Sequence, residues 1–431
     1  VIRRRRRLDQ RKVTGTMTET IEPNCAAPVE PRRALPRRAS VVVIGGGVNG
    51  LSTAFQLAKR GVRDVVVLER QQLGSGATGK SGALVRCHYA NVPEATLTHE
   101  SLQIFRNWDD VVGAGSPGFA PIGFIQVVAP EHEDRLRQNV AGQQRIGIDT
   151  RIVDRHELGE IDPFLNTDDL SVAAFEPSSG YADPNATLHG FARAAQNRSA
   201  RIFEETPAIA IVTSNGSVAA VETPFGTIET DRVLVAAGSW ADRLLKPLGV
   251  DLGLEPVRTQ VVLFRWPAAL EGRGHRVVID AINHAWLRPE GAHCTLIGAE
   301  RSVLTADPDT LDESVDARTI PVSRRALAAR FPVFTNAIMR GGWSGTYMRS
   351  PDGHPIIDRI PDVPGLWVMA GDSGTSFKTS PAIGVCLAEW IADGSPRLVD
   401  LRPFRSTRFA EGKLWLDERS YGDDRALTVS R

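Results

Sequence analysis

The sequence carries no net charge, because its 51 basic side chains are matched by 51 acidic ones. It therefore lacks the positive field that draws a protein to nucleic acid or to an anionic membrane. It also has no apolar run near the roughly 20 residues that a helix needs to cross a bilayer. These absences favour a globular protein without a membrane span, and 431 residues are enough for two domains.

Cysteine is scarce, and Cys25, Cys87, Cys294 and Cys386 lie far apart without forming a C-x-x-C pair. This spacing gives no zinc ribbon, redox dithiol or disulfide framework. We therefore expect a reducing, cytoplasmic setting. The sequence also lacks a Ser-His-Asp order, an H-E-x-x-H motif and a paired-carboxylate spacing, so nothing supports a hydrolase.

Residues 1–38 are rich in Arg, Pro and Glu, which predicts a disordered leader. Five arginines, Arg3 to Arg7, open it, but no apolar stretch follows them as it would in a signal peptide. We expect an upstream leader with the natural start near Met17. The alternative is an arginine patch for nucleic acid.

A glycine-rich turn follows the first apolar run, in "VVVIGGGVNGLSTAFQLAKRG" at residues 41–61. Val41 to Ile44 predicts a buried strand, and the apolar spacing from Leu51 to Ala58 predicts a helix. Between them stand the three glycines of a G-x-G-x-x-G motif: Gly45, Gly47 and Gly50. Such glycines allow a tight turn, close approach to a pyrophosphate and close helix–strand packing. The motif predicts dinucleotide binding.

Glu69 ends the second predicted strand, Val65 to Leu68. A carboxylate at this place accepts hydrogen bonds from the adenosine ribose hydroxyls. It would repel the 2′-phosphate of NADP. The cofactor is therefore predicted to be NAD or FAD.

The rest of the chain predicts helices and short strands without an internal repeat. A polar, glycine-rich loop spans residues 74–91. Further patterns predict helices near 94–112 and 130–146, an antiparallel meander from about 201, strands within about 256–304, a strand at 366–370, a helix from about Pro381 and an irregular tail. The segment "VMAGDSGTSFK" after the strand at 366–370 resembles a second cofactor contact. Cofactor contacts at both ends of the chain favour FAD.

The chain resembles the FAD-dependent D-amino-acid oxidase superfamily, and most closely its sarcosine oxidase and glycine oxidase branch, which includes sarcosine oxidase beta subunits. The resemblance covers about Ser40 to Gly394. It rests on the segments "VIGGGVNGLSTAFQLAKRG…VVVLER", "GSGATGKSGALVRCHY", "GYADP", "RVLVAAGSWADRLLKPLGV", "PVRTQ", "GWSGTYMRSPDGHPIID" and "GLWVMAGDSGTSFKTSPAIG".

The resemblance implies an α/β fold with a Rossmann-like FAD-binding domain and an inserted α+β substrate domain built on an antiparallel sheet. The FAD-binding domain is predicted to be discontinuous, in residues 39–115, 175–250 and 340–395. Residues 116–174 and 251–339 would form the substrate domain, and residues 396–431 a C-terminal tail.

The resemblance also implies oxidation of a carbon–nitrogen bond in an amine or amino acid, with hydride transfer to flavin and hydrolysis of the imine. Arg86 matches the arginine that grips the substrate carboxylate, Lys378 the lysine that shares this task, and Tyr347 an active-site tyrosine. A planar guanidinium suits a carboxylate. The alternatives are an internal ion pair for Arg86, a surface position for Lys378 and a core position for Tyr347.

The predicted cofactor contacts lie in both cofactor segments and in the loop between them. They are Gly45, Gly47, Val48, Asn49, Gly50, Glu69, Arg70, Gly79, Lys80, Ser81, Gly82, Ala208, Gly238, Asp372, Gly374, Thr375 and Phe377. The residues that bond FAD covalently in some relatives would fall near Gly345 or at Lys80 and Ser81, so we expect FAD to be held noncovalently. No metal site is predicted.

Several points stay open. The oxygen-activating lysine of the oxidases would fall at Leu296, with Glu300 near a usual histidine position, so the electron acceptor is either dioxygen or a redox carrier. His88 lines the site or packs in its loop, and Trp240 and Trp343 are interpreted first as packing residues. The alternative functions are a carrier-linked dehydrogenase subunit, an FAD-bound scaffold without turnover, and tRNA modification, which the neutral charge disfavours. Homo- or hetero-oligomers are both compatible with the sequence.

Overall fold

The computed structural model describes residues 34–299, 303–304 in backbone only, 307–417 and 419–421. The predicted leader therefore lies outside the described residues up to residue 33. Its last part is ordered, because the backbone N–H of Glu229 donates to the carbonyl of Arg37 and the N–H of Ala39 donates to the carbonyl of Glu229. These bonds extend a sheet edge where the sequence predicted disorder.

Strands and helices alternate along the first half of the chain and strands dominate the second. The strands are β1 (Val41–Ile44), β2 (Val65–Leu68), β3 (Leu84–Val85), β4 (Phe124–Val127), β5 (Arg151–Asp154), β6 (Val172–Glu176), β7 (Gly180–Tyr181), β8 (Arg201–Phe203), β9 (Ala210–Ser214), β10 (Ser217–Thr223), β11 (Gly226–Glu229), β12 (Val233–Val235), β13 (Glu255–Arg265), β14 (Val277–Asp280), β15 (Ala285–Glu290), β16 (Cys294–Gly298), β17 (Val303–Leu304), β18 (Met339–Arg349), β19 (Ile356–Arg359) and β20 (Leu366–Ala370). The helices are α1 (Val48–Lys59), α2 (Val92–Arg106), α3 (Trp108–Val111), α4 (Glu133–Arg145), α5 (Arg155–Ile161), α6 (Pro184–Gln196), α7 (Ala241–Leu245), α8 (Thr319–Arg330) and α9 (Ser380–Asp393).

A six-stranded sheet in the order β19-β20-β12-β1-β2-β8 contains the first strand and the last strand of the mainly parallel part of the fold, β1 and β20. All its neighbouring strands pair in parallel except β19 and β20. β1, β2 and β20 are buried along their whole length, as expected for apolar strands covered on both faces. Helices α1, α6 and α9 pack together against this sheet.

A larger, mostly antiparallel sheet follows the order β17-β13-β16-β15-β14-β4-β6-β5, with β18 paired to β13. Only β4 and β14 run parallel. The predicted boundaries at 174/175 and 339/340 fall at strands of this sheet: β6 spans the first, and β18 begins at the second. β18 therefore belongs by its hydrogen bonds to the larger sheet, although most of it lies in a segment predicted for FAD binding.

The predicted meander is a three-stranded sheet in the order β11-β10-β9. Asn215 and Gly216 connect β9 to β10 with φ values of 51° and 80°, the conformation that a type I′ hairpin turn requires. Among the described residues, no helix has the length and apolarity needed to cross a membrane.

The tail after α9 is irregular but anchored. The buried guanidinium of Arg408 donates from Nε to Asp352 Oδ2 at 2.7 Å, and Phe404 is fully buried. The described part of the tail is thus anchored to the packed fold at Phe404 and Arg408.

Candidate functional site

A cavity of about 730 Å³ opens where β1, β12 and β20 end. Ile44 and Gly45 after β1, Ala236 to Gly238 after β12, and Ala370 to Asp372 after β20 all line it. The carboxyl ends of parallel strands are the usual place for a ligand in such sheets. The cavity then continues past the loop at 74–86 to residues of β13, β15 and β18 in the larger sheet.

The glycine-rich turn forms the floor of the cavity, and its glycines differ in what surrounds them. A Cβ on Gly45 would lie 2.3 Å from the carbonyl oxygen of Ala236, and one on Gly50 would lie 2.1 Å from that of Gly45. These two positions require glycine for close strand–helix packing. Gly47 faces more open space, with Thr78 Oγ1 the one atom within 4 Å of an added Cβ.

The first turn of α1 is held by the loop that follows β2. The hydroxyl of Thr78 accepts a hydrogen bond from the backbone N–H of Val48 at 3.1 Å. Because Gly47 supplies no side-chain cap, this hydroxyl takes the place of one at the helix start. It would compete with, or be replaced by, an anion bound at the helix N-terminus.

Glu69 lies beside this turn. Its carboxylate accepts hydrogen bonds from the N–H of Gly46 at 2.7 Å and of Gln71 at 2.9 Å. Burial raises the pKa of Glu69, and the two N–H donors oppose that rise. The side chain is thereby fixed at the end of β2, where it was predicted to meet a ribose.

The loop after β20 is tied to the first turn of α1 by a chain of polar contacts. The side-chain amide of Asn49 donates to Ser376 Oγ at 3.0 Å, and that hydroxyl donates to Asp372 Oδ2. Burial raises the pKa of Asp372, while its bonds from Ser376 and Gly374 oppose the rise. Two segments that lie 327 positions apart in the sequence thus meet at the cavity wall.

Arg86 and Lys378 meet at the same aromatic ring. The Arg86 Cζ atom lies 4.8 Å from the ring centroid of Tyr89, and Lys378 Nζ lies 5.2 Å from it. Lys378 also donates to the carbonyl of Thr375 at 2.9 Å, and Arg86 donates to the carbonyl of His88. Both cations are buried, with 3% and 7% exposure, and both line the cavity.

Tyr347 and Trp286 form the side of the cavity contributed by the larger sheet. The Tyr347 ring packs on Gly374, where an added Cβ would lie 3.3 Å from its Cε1. Trp286 packs so closely on Gly82 that a Cβ there would lie 2.2 Å from its Cη2. The indole thus leaves no room for a side chain at position 82, a position that the sequence analysis assigned to cofactor binding.

A group of charged residues lies at the edge of the cavity near Glu69. Asp309 Oδ1 accepts hydrogen bonds from Arg70 Nη1 at 2.8 Å and from Trp240 Nε1 at 2.7 Å. Arg243 donates to the other carboxylate oxygen. These bonds, above all the one from Arg243, lower the pKa of Asp309 to about 2, so it carries a full negative charge.

The cavity brings together most of the predicted site residues. Those that line it are Gly45, Gly47, Val48, Asn49, Glu69, Arg70, Lys80, Ser81, Gly82, Arg86, Ala208, Gly238, Tyr347, Asp372, Gly374, Thr375, Phe377 and Lys378. Gly50 and Gly79 do not line it. An added Cβ on Gly79 would lie 2.6 Å from the carbonyl oxygen of Gly74, so these two glycines serve the packing beneath the cavity.

Other predicted positions lie elsewhere. Leu296 is buried in the larger sheet away from the cavity lining, and Glu300 lies outside the described residues. His88 is buried and its Nε2 is hydrogen-bonded to the Tyr421 hydroxyl at 2.8 Å. Burial, helped by the nearby Arg86 charge, lowers the pKa of His88 to about 3, so it packs as a neutral ring.

The sequence analysis missed three aromatic or acidic groups and underrated a fourth. Tyr89 lies three residues after Arg86 in "RCHY". Its closeness in sequence to the residue predicted to bind the substrate carboxylate could have marked it as a site residue. Trp286 and Asp309 gave no local signal, because their roles depend on contacts with distant segments. Trp240, first interpreted as packing, lines the cavity and donates to Asp309.

Comparison with known proteins gives a consistent result. A family model described as FAD dependent oxidoreductase (DAO) matches residues 40–390. The chain is 28% identical to the glycine oxidase of Geobacillus kaustophilus over 382 residues, covering 87% of this chain and 98% of that protein. It is 26% identical to mitochondrial dimethylglycine dehydrogenase of Rattus norvegicus over 416 residues, covering 89% of this chain and 47% of that protein.

The solved structures agree with the sequence matches. The L-proline dehydrogenase of P. horikoshii superposes with a TM-score of 0.82 at 26% identity, covering 88% of this chain and 100% of that one. The chain spans about half the length of the mitochondrial dehydrogenases that it matches. It spans nearly the whole of the glycine oxidase.

Proposed function

The chain belongs to the DAO family of FAD dependent oxidoreductases, and we propose that it oxidises the carbon–nitrogen bond of an amino acid or an N-alkylated amino acid. The observation that carries this proposal is the convergence of Arg86 and Lys378 on Tyr89, at the wall of the cavity. Two buried cations at one place suit a carboxylate, and the relatives named for glycine, sarcosine and proline act on amino acids that have one.

The cavity fits the FAD on which this family depends. Gly47 leaves open space at the start of α1 that a side chain would occupy, and the buried Asn49 Oδ1 has no hydrogen-bond partner. The first turn of α1 would hold the diphosphate, Glu69 the ribose, and the loop at 372–377 the flavin end. We propose noncovalent binding, because Gly345 and Ser81 carry no group that bonds to flavin and Lys80 pairs with Glu313.

At the substrate end, the Arg86 guanidinium would bind the carboxylate through two parallel hydrogen bonds, with Lys378 as a second donor. Tyr347 of β18 lines the same cavity, and the burial of both cations would keep water from the carboxylate. These contacts would orient the carbon next to nitrogen. FAD supplies, when bound, the acceptor for the hydride from that carbon.

The electron acceptor is proposed as either dioxygen or a redox carrier, since the relatives include both oxidases and dehydrogenases. The rate at which air reoxidises the reduced protein would separate the two. We also propose assembly with further subunits, because two relatives are named as the beta subunit of sarcosine oxidase. A cytoplasmic location is supported by Cys87, Cys294 and Cys386, which are free thiols.

An anaerobic substrate screen tests the function. The FAD-loaded protein is mixed with glycine, N-methylated amino acids and L-proline, and the visible flavin absorbance is followed. Loss of the absorbance with one of them is the expected result, and the same mixture with a decarboxylated analogue should leave it unchanged. If no amine or amino acid removes the absorbance, the protein is a flavin-bound scaffold and the proposal is wrong.

A further inference from the structure

An acidic segment, residues 307–316, lies along the edge of the cavity and is fastened by cations from distant parts of the chain. Its acidic members are Asp307, Asp309, Asp312, Glu313 and Asp316. We propose that this acidic segment is a strap that retains FAD, and that Asp309 is a positioning residue for the nucleotide end of the cofactor. The inference rests on the proposed function only in placing FAD in the cavity.

The first attachment is at Asp309, which links three residues of the cavity lining. Arg70 follows Glu69 directly, and its guanidinium lies 4.5 Å above the ring of Trp240. Asp309 accepts a hydrogen bond from each, at 2.8 and 2.7 Å, and so fixes the cation and the indole against one another. Since Glu69 is predicted to meet the ribose, this stacked pair would lie next to the adenosine of bound FAD.

The second attachment is at Glu313 and fastens the middle of the acidic segment. Its carboxylate pairs with Lys80, a residue of the cavity lining in the loop between β2 and β3. The backbone carbonyl of Glu313 also accepts from the N–H of Ser344 in β18 at 2.9 Å. The acidic segment therefore bridges the two sheets beside the cavity.

The last attachment fixes the segment to the larger sheet. Arg258 of β13 donates to both carboxylate oxygens of Asp316, at 3.1 and 3.2 Å, and Gln260 donates to the same group at 3.0 Å. This bidentate ion pair holds the end of the acidic segment on β13. The attachments to Arg70, Arg243 and Lys80 are then the ones that open if the acidic segment lifts from the cavity edge.

The Asp309→Asn variant separates two roles of Asp309, because its negative charge and its hydrogen bonds have opposite expected effects on FAD binding. Removing a negative charge near the anionic diphosphate would by itself strengthen FAD binding. If Asp309 positions Arg70 and Trp240, the same change weakens binding. Loss of one charge-assisted hydrogen-bond set predicts about a tenfold faster release of FAD.

The experiment follows flavin fluorescence after dilution of the FAD-loaded protein, at low and high salt and without substrate. We expect Asp309→Asn to release FAD about tenfold faster at low salt, and wild-type release to approach that rate as salt screens the ion pairs. Trp240→Phe keeps an aromatic ring beside Arg70 but removes the indole N–H that donates to Asp309, and it should also accelerate release. Glu411→Gln, which breaks an equally exposed ion pair with Arg405 in the tail, should behave as wild type.

Unchanged or slower release from Asp309→Asn, or equal acceleration by Glu411→Gln, would overturn the proposal. The result is independent of the substrate screen, because no amine is present. If the protein oxidises no amino acid but Asp309→Asn releases FAD faster, the proposed function is wrong and the proposed role of the acidic segment still holds. The converse result disproves only the strap.

Discussion

Arg86 and Lys378 are 292 positions apart in the sequence and lie against the same ring, with Arg86 Cζ 4.8 Å and Lys378 Nζ 5.2 Å from the centroid of Tyr89. Burying a cation has a desolvation cost, and the negative face of an aromatic ring offsets part of that cost. The proposed carboxylate site depends on this arrangement of two buried cations at one ring in the cavity wall.

The first prediction concerns Arg86. Arg86→Ala removes two charge-assisted hydrogen bonds of about 1.5–3 kcal/mol each, and kcat/KM should fall by about 100-fold or more. Steady-state kinetics with the best substrate from the screen measures the loss, and the visible spectrum checks that FAD stays bound. Arg86→Lys should recover part of the activity, because it keeps the charge but not the planar fork. Unaltered kinetics in Arg86→Ala would remove this residue from the site.

The second prediction concerns Tyr89, which acts through the two cations. Tyr89→Phe keeps the ring and should leave KM within about twofold of wild type, whereas Tyr89→Leu removes a cation–π contact of about 0.5–2 kcal/mol and should raise KM several-fold. A larger effect on KM than on kcat distinguishes positioning of the carboxylate site from general damage. Equal kinetics in the Leu and Phe variants would show that the ring is only packing.

The third prediction concerns the glycine turn. Gly45 has φ of 118°, and a Cβ there would lie 2.3 Å from the carbonyl of Ala236. Gly45→Ala should therefore lower the free energy of unfolding by about 2 kcal/mol or more and lose bound flavin. Gly159→Ala is the matched control, because Gly159 lies in α5 with nothing within 4 Å of an added Cβ. That change should stabilise the protein by about 0.5–1 kcal/mol, as alanine does within helices.

The fourth prediction concerns pH and stability. Burial lowers the pKa of His275 from 6.5 to about 4, and its ring nitrogens bond to the Arg276 carbonyl and the Thr295 hydroxyl, both at 2.7 Å. In the unfolded chain, His275 is protonated below about pH 6.5, whereas in the folded protein it is protonated only below about pH 4. As the pH is lowered through this window, His275 alone should decrease the free energy of unfolding by about 1.4 kcal/mol per pH unit.

Urea unfolding at pH 7.5 and 5 measures this loss. His275→Gln should shrink the difference in free energy between the two pH values by about 2 kcal/mol. His156→Gln, at an exposed helix position, should leave it as in wild type. A pH dependence that is the same in all three proteins would contradict the prediction.

Local sequence was enough where the structural cause is local. The run from Val41 to Gly61 specifies a strand, a tight turn and a helix, because each step follows from side-chain shape, apolar spacing and glycine geometry within a few residues. The same holds for the Asn215–Gly216 hairpin and for α9, which begins at Ser380, next to the predicted Pro381. Family membership followed as well, because the motifs that define it are short and ordered along the chain.

Tertiary structure decided the features that join distant segments. No local pattern shows that β18 pairs with β13, since a strand of mixed polar and apolar residues fits either sheet until its hydrogen-bonding partner is known. The same is true of Trp286 over Gly82 and of Asp309 between Arg70 and Trp240. The sequence by itself determined the first strand–turn–helix unit and the cofactor class, and it named the residues that we predict to hold the cofactor. The fold alone decided which of them share a ring, an ion pair or a cavity wall, because those contacts depend on how the two sheets pack.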